Sequence, residues 1–281
     1  MKILLTNDDG VRAPGIWAAA RTLAEIGSVT IVAPAQNYSG FGAALPATKS
    51  IDYFPYRDEA LGHCLANVTA FGVSVTPAAC AQVGLSGVFG GPFDLLVSGI
   101  NLGSNMGRDV FYSGTVGAAL TAQFLGIPAI AMSLDAEAVE SAHWETAQWA
   151  LREAIAMWKA QRDSSFSVLN VNVPNLPLAQ VSGLQTTSFS SHSFLANYRF
   201  ESDLGQPGKL TAISQRNSQT EKPERFSDAW AVARGYVSVT PMRPFPELLA
   251  VSQLDKVAVR ATRPAPVQSS RWQPAPSPMH A

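Results

Sequence analysis

Two adjacent carboxylates, Asp8 and Asp9, follow a short apolar run near the start of the chain, within the sequence Asn7-Asp8-Asp9-Gly10. A dinucleotide-binding protein would carry a glycine-rich turn at this position, so that a pyrophosphate could approach the backbone. Two carboxylates would instead repel a phosphate unless a cation lay between them. The pattern therefore predicts a divalent metal with hard oxygen ligands, Mg²⁺ or Mn²⁺. The alternative interpretation is a helix N-cap, because an Asp-Gly pair at a strand-to-helix turn needs no ligand.

Neutral oxygen atoms that could complete such a metal site follow two other predicted strands. The stretch Ser98–Gly107 comes directly after an apolar run and supplies the side-chain amides of Asn101 and Asn105. The loop after another apolar run contains Ser39. The carboxyl ends of parallel strands meet at one edge of a sheet, so we expect these side chains to lie near the carboxylate pair. For Ser39 the alternative is an ordinary turn, because a lone Ser-Gly pair is typical of one.

A stretch of small residues, Tyr112–Ala119, leads into a predicted helix. Small side chains leave backbone N–H groups open at a helix start, and the helix dipole favours an anion there. Gly114 is one of these residues, and Ser113 and Thr115 add hydroxyl donors. The pattern therefore predicts a bound phosphate at this helix start. The alternative is a Ser/Thr capping turn whose small residues serve only tight packing.

Carboxylates, neutral oxygens and an anion site at one sheet edge indicate metal-dependent phosphoryl chemistry. The expected reaction is attack of a metal-activated water on a phosphoester, with Asp8 or Asp9 as metal ligand and proton acceptor. A second hypothesis makes an aspartate the nucleophile, which would form an aspartyl-phosphate.

Predicted strands and helices alternate along the first part of the chain, which is typical of a parallel sheet covered by helices on both faces. Apolar runs predict strands over 3–5, 29–33, 95–97, 127–134 and 168–173. Helical patterns predict one helix that begins at Pro14 and two others over 115–125 and 141–158. The predicted fold class is therefore α/β, a Rossmann-like and mostly parallel sheet flanked by helices.

The composition changes in the second part of the chain. Residues 185–228 are rich in Ser, Gln, Asn and Thr, and they show no sustained helical period. This segment predicts long loops or an extended arm. Gly235–Thr240 predicts a returning strand, and residues 247–259 could form a last helix.

These patterns predict one α/β domain over residues 1–262, with a core over about 1–180 and the arm and returning strand over 181–262. Residues 263–281 contain repeated prolines. Such a composition predicts a disordered tail.

The overall composition excludes several classes of protein. The chain has 281 residues, with 20 Lys+Arg against 21 Asp+Glu and a formal net charge of −1. Because no positive charge is in excess, we do not expect a nucleic-acid polymer as partner. Hydrophobic residues make up 47% and charged residues 15% of the chain, which argues against a disordered protein. The low share of charged residues also suggests that other subunits cover part of the surface.

Two cysteines, Cys64 and Cys80, show no CxxC spacing, so neither a zinc site nor a disulfide framework is indicated. The apolar run at the N-terminus is too short for a signal peptide, and no stretch reaches the length of a membrane span. We therefore expect a cytoplasmic protein that does not associate with membranes.

Several segments of the chain resemble the SurE family (stationary-phase survival protein E). They follow one another in consistent order from residue 2 to about 241, and they are Lys2–Gly10, Ser98–Gly107, Tyr112–Ala119, Val171–Pro174 and Gly235–Pro241. The resemblance implies a Rossmann-like core and a metal-dependent 5′/3′-nucleotidase that releases phosphate from nucleoside monophosphates. It also implies a homodimer or homotetramer assembled through extended C-terminal β arms, which agrees with the composition of residues 185–228.

The resemblance also implies the roles of particular residues. One divalent metal ion per subunit would be held by Asp8, Asp9, Ser39 and Asn101, and Asp8 and Asp9 would be the catalytic residues. The phosphate of a small nucleotide substrate would lie beside Asn105, Ser113, Gly114 and Thr115.

Three positions depart from the usual pattern of the family. Gln36 stands where a basic residue is usual, Gly42 where a serine is usual, and Ala79 where an aspartate is usual. These departures leave the predicted metal ligands in place, but they motivate an alternative hypothesis: a nucleotide-binding or scaffold paralogue with weak or no catalysis. A dinucleotide oxidoreductase is not expected, because no G-x-G-x-x-G follows the first strand.

Overall fold

A computed structural model describes residues 1–57, 65–160, 168–191, 197–202, 210–215 and 222–242 of the chain. The strands are β1 (Lys2–Thr6), β2 (Ser28–Pro34), β3 (Tyr53–Tyr56), β4 (Val68–Val73), β5 (Leu95–Leu102), β6 (Ala129–Asp135), β7 (Val168–Pro174), β8 (Leu184–Thr186), β9 (Asn197–Ser202), β10 (Leu210–Gln215) and β11 (Val237–Met242). The helices are α1 (Pro14–Ala24), α2 (Pro77–Leu85), α3 (Gly114–Phe124), α4 (Trp144–Ala160) and α5 (Asp228–Val232).

Nine of these strands form one sheet in the order β3-β4-β2-β1-β5-β6-β7-β11-β8. Strands β4, β2, β1, β5, β6 and β7 run parallel to one another. The chain moves from β1 to β2 and β4 on one side, and β5 then lies on the other side of β1. This reversal is a topological switch point, and ligands of such sheets bind at the carboxyl ends of the strands beside it.

Helices cover both faces of the sheet, because each strand at its centre is apolar on both sides. Ile3 and Leu5 pack on the face covered by α1 and α4, where they meet the cluster that contains Leu151. Leu4 points to the opposite face and packs in the cluster that contains Val116 of α3. The predicted α/β class, a mostly parallel Rossmann-like sheet flanked by helices, is confirmed.

The strand predicted over 95–97 is too short, because β5 continues to Leu102. The pairing of β5 with β6 shifts register between Ser98 and Asn101, after which Asn101 pairs with Ser133. Such a shift lets a strand continue through a polar, glycine-containing stretch and re-aims the side chains that follow it. Asn101 is therefore held by the sheet, where the sequence pattern predicted a loop.

Three elements between residues 53 and 85 were not predicted, namely β3, β4 and α2. In the polar segment 185–228, β9 and β10 form a separate antiparallel sheet. The predicted returning strand is confirmed as β11, which pairs antiparallel with β7.

Residues Met1–Pro244 form one compact unit. The helix predicted over 247–259 and the tail predicted over 263–281 lie outside the described residues. Among the helices of the described segments, none has the length and apolar character that a membrane crossing requires.

Candidate functional site at the switch point

The carboxylate of Asp8 lies at the end of β1 and only 4% of the residue is exposed. The hydroxyl of Thr115, in the first turn of α3, donates a hydrogen bond to Asp8 Oδ1 at 2.6 Å. The backbone N–H of Tyr38, in the loop after β2, donates to the carbonyl oxygen of Asp8 at 2.8 Å. The ends of β1 and β2 and the start of α3 therefore meet at Asp8, as the sequence predicts.

The first turn of α3 surrounds this carboxylate closely. A Cβ atom added to Gly114 would lie 2.8 Å from Asp8 Cβ and 3.0 Å from Asp8 Oδ2, so only glycine fits without displacing the aspartate. Burial raises the pKa of Asp8, and hydrogen bonds from the Thr115 hydroxyl and from backbone amides of Thr115 and Gly114 act in the opposite direction. The positive end of the α3 dipole therefore stabilises the ionised form of Asp8.

Asp9 is half-buried beside Asp8 and has different partners. The backbone N–H of Leu102 donates to Asp9 Oδ2 at 3.3 Å, and Asn37 Nδ2 donates to Asp9 Oδ1 at 3.2 Å. Burial, together with the negative charge of Asp8, raises the pKa of Asp9 to about 6. Asp9 thus connects the end of β5 to the loop after β2.

The charge of this pair favours a cation. No Lys, Arg or His in the described part of the chain forms an ion pair with Asp8 or Asp9. Two neighbouring carboxylates without a cation disfavour ionisation of one another, and a divalent ion removes that penalty. Within the described residues, no group of three or more His, Cys, Asp and Glu side chains could hold a metal ion. In the part of the chain that the structure describes, the further donors at hand are neutral oxygens, a type of ligand that Mg²⁺ and Mn²⁺ accept.

Three neutral donors were predicted, Asn101, Asn105 and Ser39, and the structure holds the first and the last of them by a local contact. The side-chain N–H of Asn101 donates to the carbonyl oxygen of Gly103 at 2.7 Å, which leaves its Oδ1 available to a ligand. Ser39 is exposed, and its backbone N–H donates to Asn37 Oδ1 at 2.8 Å. Because Asn37 also donates to Asp9, its side chain bridges the Ser39 loop and the acidic pair. Asn37 was not predicted, since a single asparagine in a turn has no distinctive spacing.

The Thr115–Asp8 hydrogen bond gives a first testable prediction. Thr115→Val keeps the shape of the side chain but removes the donor to a buried carboxylate, so we expect the free energy of unfolding to fall by about 1.5–3 kcal/mol. Urea denaturation followed by circular dichroism measures this difference. Thr115→Ser keeps the hydroxyl and should retain most of the stability. Equal losses in the two variants would show that the hydroxyl does not stabilise Asp8.

The predicted phosphate-binding residues fall into two groups. Ser113 is the N-cap of α3, and its side chain accepts a hydrogen bond from the backbone N–H of Val116 at 3.1 Å, so the capping interpretation holds for it. Gly114 and Thr115 contact Asp8, as described above. Asn105 instead contacts β6 and β7, through Ser133 and Asn172.

Buried polar side chains that the sequence patterns did not single out support the loop between β5 and α3. Asp228 at the start of α5 is fully buried and accepts hydrogen bonds at 2.8 Å from the backbone N–H groups of Gly107, Ser190 and Ala229. It thereby joins this loop to the C-terminal part of the chain. A buried Asp at a helix start is not distinguishable in sequence from an ordinary N-terminal Asp.

The three departures from the family pattern lie in the loop after β2 and in α2. Gly42 has φ +55°, and an added Cβ would lie 2.9 Å from the carbonyl oxygen of Phe111, so a serine here would need the loop to shift. Gln36 is exposed in the loop after β2, and Ala79 is buried in α2. None of the three contacts Asp8 or Asp9 by a hydrogen bond within the described residues.

A Rossmann-like sheet with an acidic pair at its switch point places the chain in the class of α/β proteins whose ligand site lies at the carboxyl ends of the strands. Comparison with known proteins identifies the family. A family profile described as "Survival protein SurE" matches residues 3–195, and the chain belongs to the SurE family.

Individual relatives agree with this assignment. A protein of Legionella pneumophila named 5′-nucleotidase SurE is 38% identical over 243 residues, which covers 86% of this chain and 90% of that protein. A protein of the same name from Nitrosococcus oceani is 35% identical over 261 residues, covering 92% and 96%. The crystal structure of the SurE protein from Aquifex aeolicus matches with a TM-score of 0.73 and 30% identity, over 92% of this chain and 98% of that one.

Proposed function

We propose that this protein is a divalent-metal-dependent phosphomonoesterase that releases phosphate from nucleoside monophosphates, a 5′/3′-nucleotidase. The names of its SurE relatives support the nucleotidase assignment. The observation that carries the metal dependence is the juxtaposition of Asp8 and Asp9 at the switch point without a cationic partner among the described residues. A doubly negative substrate phosphate cannot approach such a pair unless a cation lies between them.

One divalent ion per subunit, Mg²⁺ or Mn²⁺, would be held by Asp8, Asp9, Asn101 and Ser39. When bound, such an ion polarises a phosphoester and lowers the pKa of water in the site. Side chains of the protein supply the remaining catalytic groups. Asp8 or Asp9 accepts the proton that the attacking water releases, and the buried setting of Asp8 at the α3 dipole keeps its carboxylate oriented for this role.

The phosphate would be held by donors on two sides. Ser113, Gly114 and Thr115 would lie beside the phosphate at the start of α3, where the helix dipole favours an anion. The Ser113 hydroxyl accepts a hydrogen bond from Val116 and keeps its own hydrogen for a phosphate oxygen, whereas the Thr115 hydroxyl and the backbone N–H groups of Gly114 and Thr115 donate to Asp8. Asn105 would supply an amide N–H from the loop after β5. These donors orient the phosphorus toward the attacking water, which lowers the barrier by restricting the reactants to the productive geometry.

A nucleoside could occupy the surface next to Ser113. A cavity of about 440 Å³ adjoins this residue and is lined by Val110, Phe111, Val116 and Phe189. Phe111 is 80% exposed and Tyr112 is 58% exposed, so both rings are accessible for stacking. A larger cavity of about 720 Å³, lined by Leu85, Gly87 and Phe93, lies before the amino end of β5 and is remote from the acidic pair. We assign the nucleoside to the cavity of about 440 Å³ beside Ser113.

Phosphate release from a panel of 5′- and 3′-nucleoside monophosphates tests the proposal directly. After treatment with EDTA we expect the activity to disappear, because the acidic pair then repels the substrate. Added Mn²⁺ or Mg²⁺ should restore the activity. Samples that receive Ca²⁺ or buffer alone serve as the comparison. Full activity in the metal-free protein would contradict the metal dependence. Binding of metal and nucleotide without turnover over a wide pH range would instead support the inactive paralogue.

Single-turnover hydrolysis in ¹⁸O-labelled water, combined with mass spectrometry of the quenched protein, separates the two chemical hypotheses. Direct attack by water places the label in the released phosphate only. An aspartyl-phosphate intermediate that is hydrolysed at phosphorus also labels phosphate, so the protein must be analysed as well. Mass spectrometry of the peptide that contains Asp8 and Asp9 after acid quench should show no phosphoryl adduct if water attacks directly.

We also propose that the protein acts in the cytoplasm as a homodimer or homotetramer. The β9–β10 pair supports association, because a two-stranded ribbon outside the main sheet is marginally stable by itself in water. The buried thiol of Cys80 is free, as expected in a reducing compartment. Sedimentation velocity of the full chain and of a variant without residues 197–215 tests the association.

A further inference from the structure

A row of buried polar side chains crosses the face of the sheet that α2 and α3 cover. The strands β1, β5, β6, β7 and β11 each contribute at least one side chain to this row. Each side chain belongs to a residue that is at most 2% exposed, and the residues are Thr6, Ser98, Ser133, Asn170, Asn172, Ser238 and Thr240. Buried polar groups in the middle of an apolar sheet are costly unless they form hydrogen bonds. Five of the seven form side-chain hydrogen bonds, whereas the hydroxyls of Thr6 and Ser98 have no partner within the described residues.

Most hydrogen bonds at the centre of this row converge on one residue, Asn105. The side chain of Asn172 accepts from the backbone N–H of Asn105 at 2.7 Å and donates to its carbonyl oxygen at 3.0 Å. Asn170 donates to the same carbonyl oxygen at 2.9 Å. Asn105 Nδ2 in turn donates to the hydroxyl of Ser133 at 2.8 Å. Three side chains from β6 and β7 thus hold both the backbone and the side chain of Asn105.

We propose that Asn172, assisted by Asn170, is a positioning residue that sets the placement of Asn105 for binding the substrate phosphate. This inference rests on the proposed function, in which Asn105 donates to the phosphate. An amide nitrogen carries two hydrogens, so Asn105 Nδ2 retains one for a phosphate oxygen after it has donated to Ser133. Loop residues have few other restraints, so the direction of this N–H bond depends on how firmly the backbone of Asn105 is held.

The side-chain chemistry of Asn172 fits this positioning role. Its side chain offers an acceptor and a donor in the same plane, which match the N–H and C=O of one residue. Aspartate would lack the donor and add a buried charge, and leucine would leave both backbone groups of Asn105 buried without partners. Asn170 makes one such bond only, and its Oδ1 has no hydrogen-bond partner within the described residues. Asn172 is therefore the principal support.

The test is the Asn172→Ala variant, compared with the parent for affinity toward inorganic phosphate and toward Mn²⁺. We expect the dissociation constant of inorganic phosphate, measured by calorimetry with Mn²⁺ present, to rise roughly 10- to 100-fold, as for other residues that orient a ligand-binding group. The KM for nucleoside monophosphates should rise in parallel and kcat should fall less. Affinity for Mn²⁺ should be unchanged, because Asn172 contacts none of the four proposed metal ligands.

Thr240→Val is the matched control, because it removes a hydroxyl from the same buried row that makes no hydrogen bond to Asn105, Asn170 or Asn172 within the described residues. The partner of Thr240, Thr187, keeps its hydrogen bond to Ser238 at 2.8 Å. This variant should bind phosphate as the parent does. Should Asn172→Ala fail to fold, Asn170→Ala removes one bond to the same carbonyl oxygen, and we expect a smaller loss of phosphate affinity in the same direction.

An unchanged phosphate affinity in both asparagine variants would overturn the inference, and so would a parallel loss of Mn²⁺ affinity, which indicates a general disturbance of the site. Absence of phosphate binding by the parent protein would overturn it as well. If the parent binds phosphate without hydrolysing any nucleotide, the proposed function fails. A weaker phosphate binding by Asn172→Ala would then still support the positioning role, so the two failures are distinguishable.

Discussion

Asp8→Asn is expected to lower kcat/KM for nucleoside monophosphates by a factor on the order of 100 to 10,000, the range for loss of a group that takes a proton in the transition state. Asparagine has the size of aspartate, and its carbonyl oxygen can still accept the hydrogen bond from Thr115. The substitution therefore removes mainly the negative charge, and with it both the attraction for a cation and the proton acceptor. Steady-state phosphate release at saturating Mn²⁺ measures the loss.

Asp94→Asn is a suitable control for this variant. Asp94 is exposed just before β5, at the opposite end of the strand from the acidic pair, and it accepts a hydrogen bond from the backbone N–H of Lys2 at 2.7 Å. Its neutralisation changes the net charge of the protein by the same amount and should leave kcat/KM unchanged. An Asp8→Asn protein that is as active as Asp94→Asn would contradict the assignment of the catalytic carboxylate.

The position of the site was predictable because a simple geometric rule applies to parallel sheets. Residues that follow different strands meet when those strands are neighbours and point the same way, and β1, β2 and β5 satisfy both conditions. The contact between Asp8 and Thr115 joins residues 107 positions apart in the chain, yet the order of elements alone brings them to one edge. The contact of Asp9 with the backbone N–H of Leu102 at the end of β5 follows from the same rule.

The supporting residues escape this rule because their roles depend on register. Asn172 reaches Asn105 only because β7 pairs with β6 in a particular alignment and because β5 shifts register before Asn101. A change of one residue in register would turn Asn172 to the other face of the sheet. An asparagine in an otherwise apolar strand is nevertheless a visible signal, since this residue type is depleted in strands. The pattern Asn170-Val171-Asn172-Val173 shows that signal, but it does not indicate that Asn105 is the hydrogen-bond partner.

Asp228 illustrates the limit of sequence reasoning more strongly. It contacts the backbone of Gly107, which lies 121 residues away in the chain, and the contact depends on how the C-terminal segment returns to the sheet as β11. Backbone N–H groups are present at every residue except proline, so no sequence pattern marks the ones that a carboxylate will meet. Contacts of this kind become visible only with the tertiary structure.

Gly114→Ala is expected to lower kcat/KM by roughly 100-fold, the effect of displacing reacting groups by about 1 Å. The added methyl group would lie 2.8 Å from Asp8 Cβ and 3.0 Å from Pro77 Cγ, so either α3 or the aspartate must shift. Gly84→Ala is the matched control: its Cβ would lie 2.7 Å from Leu4 Cδ2, the end of a flexible side chain in the core of the same face. Both changes add one methyl group to a helical glycine, but only Gly114 contacts the acidic pair. Comparable activity in the two variants, at comparable free energies of unfolding, would mean that the close fit of α3 against Asp8 contributes to packing and not to catalysis.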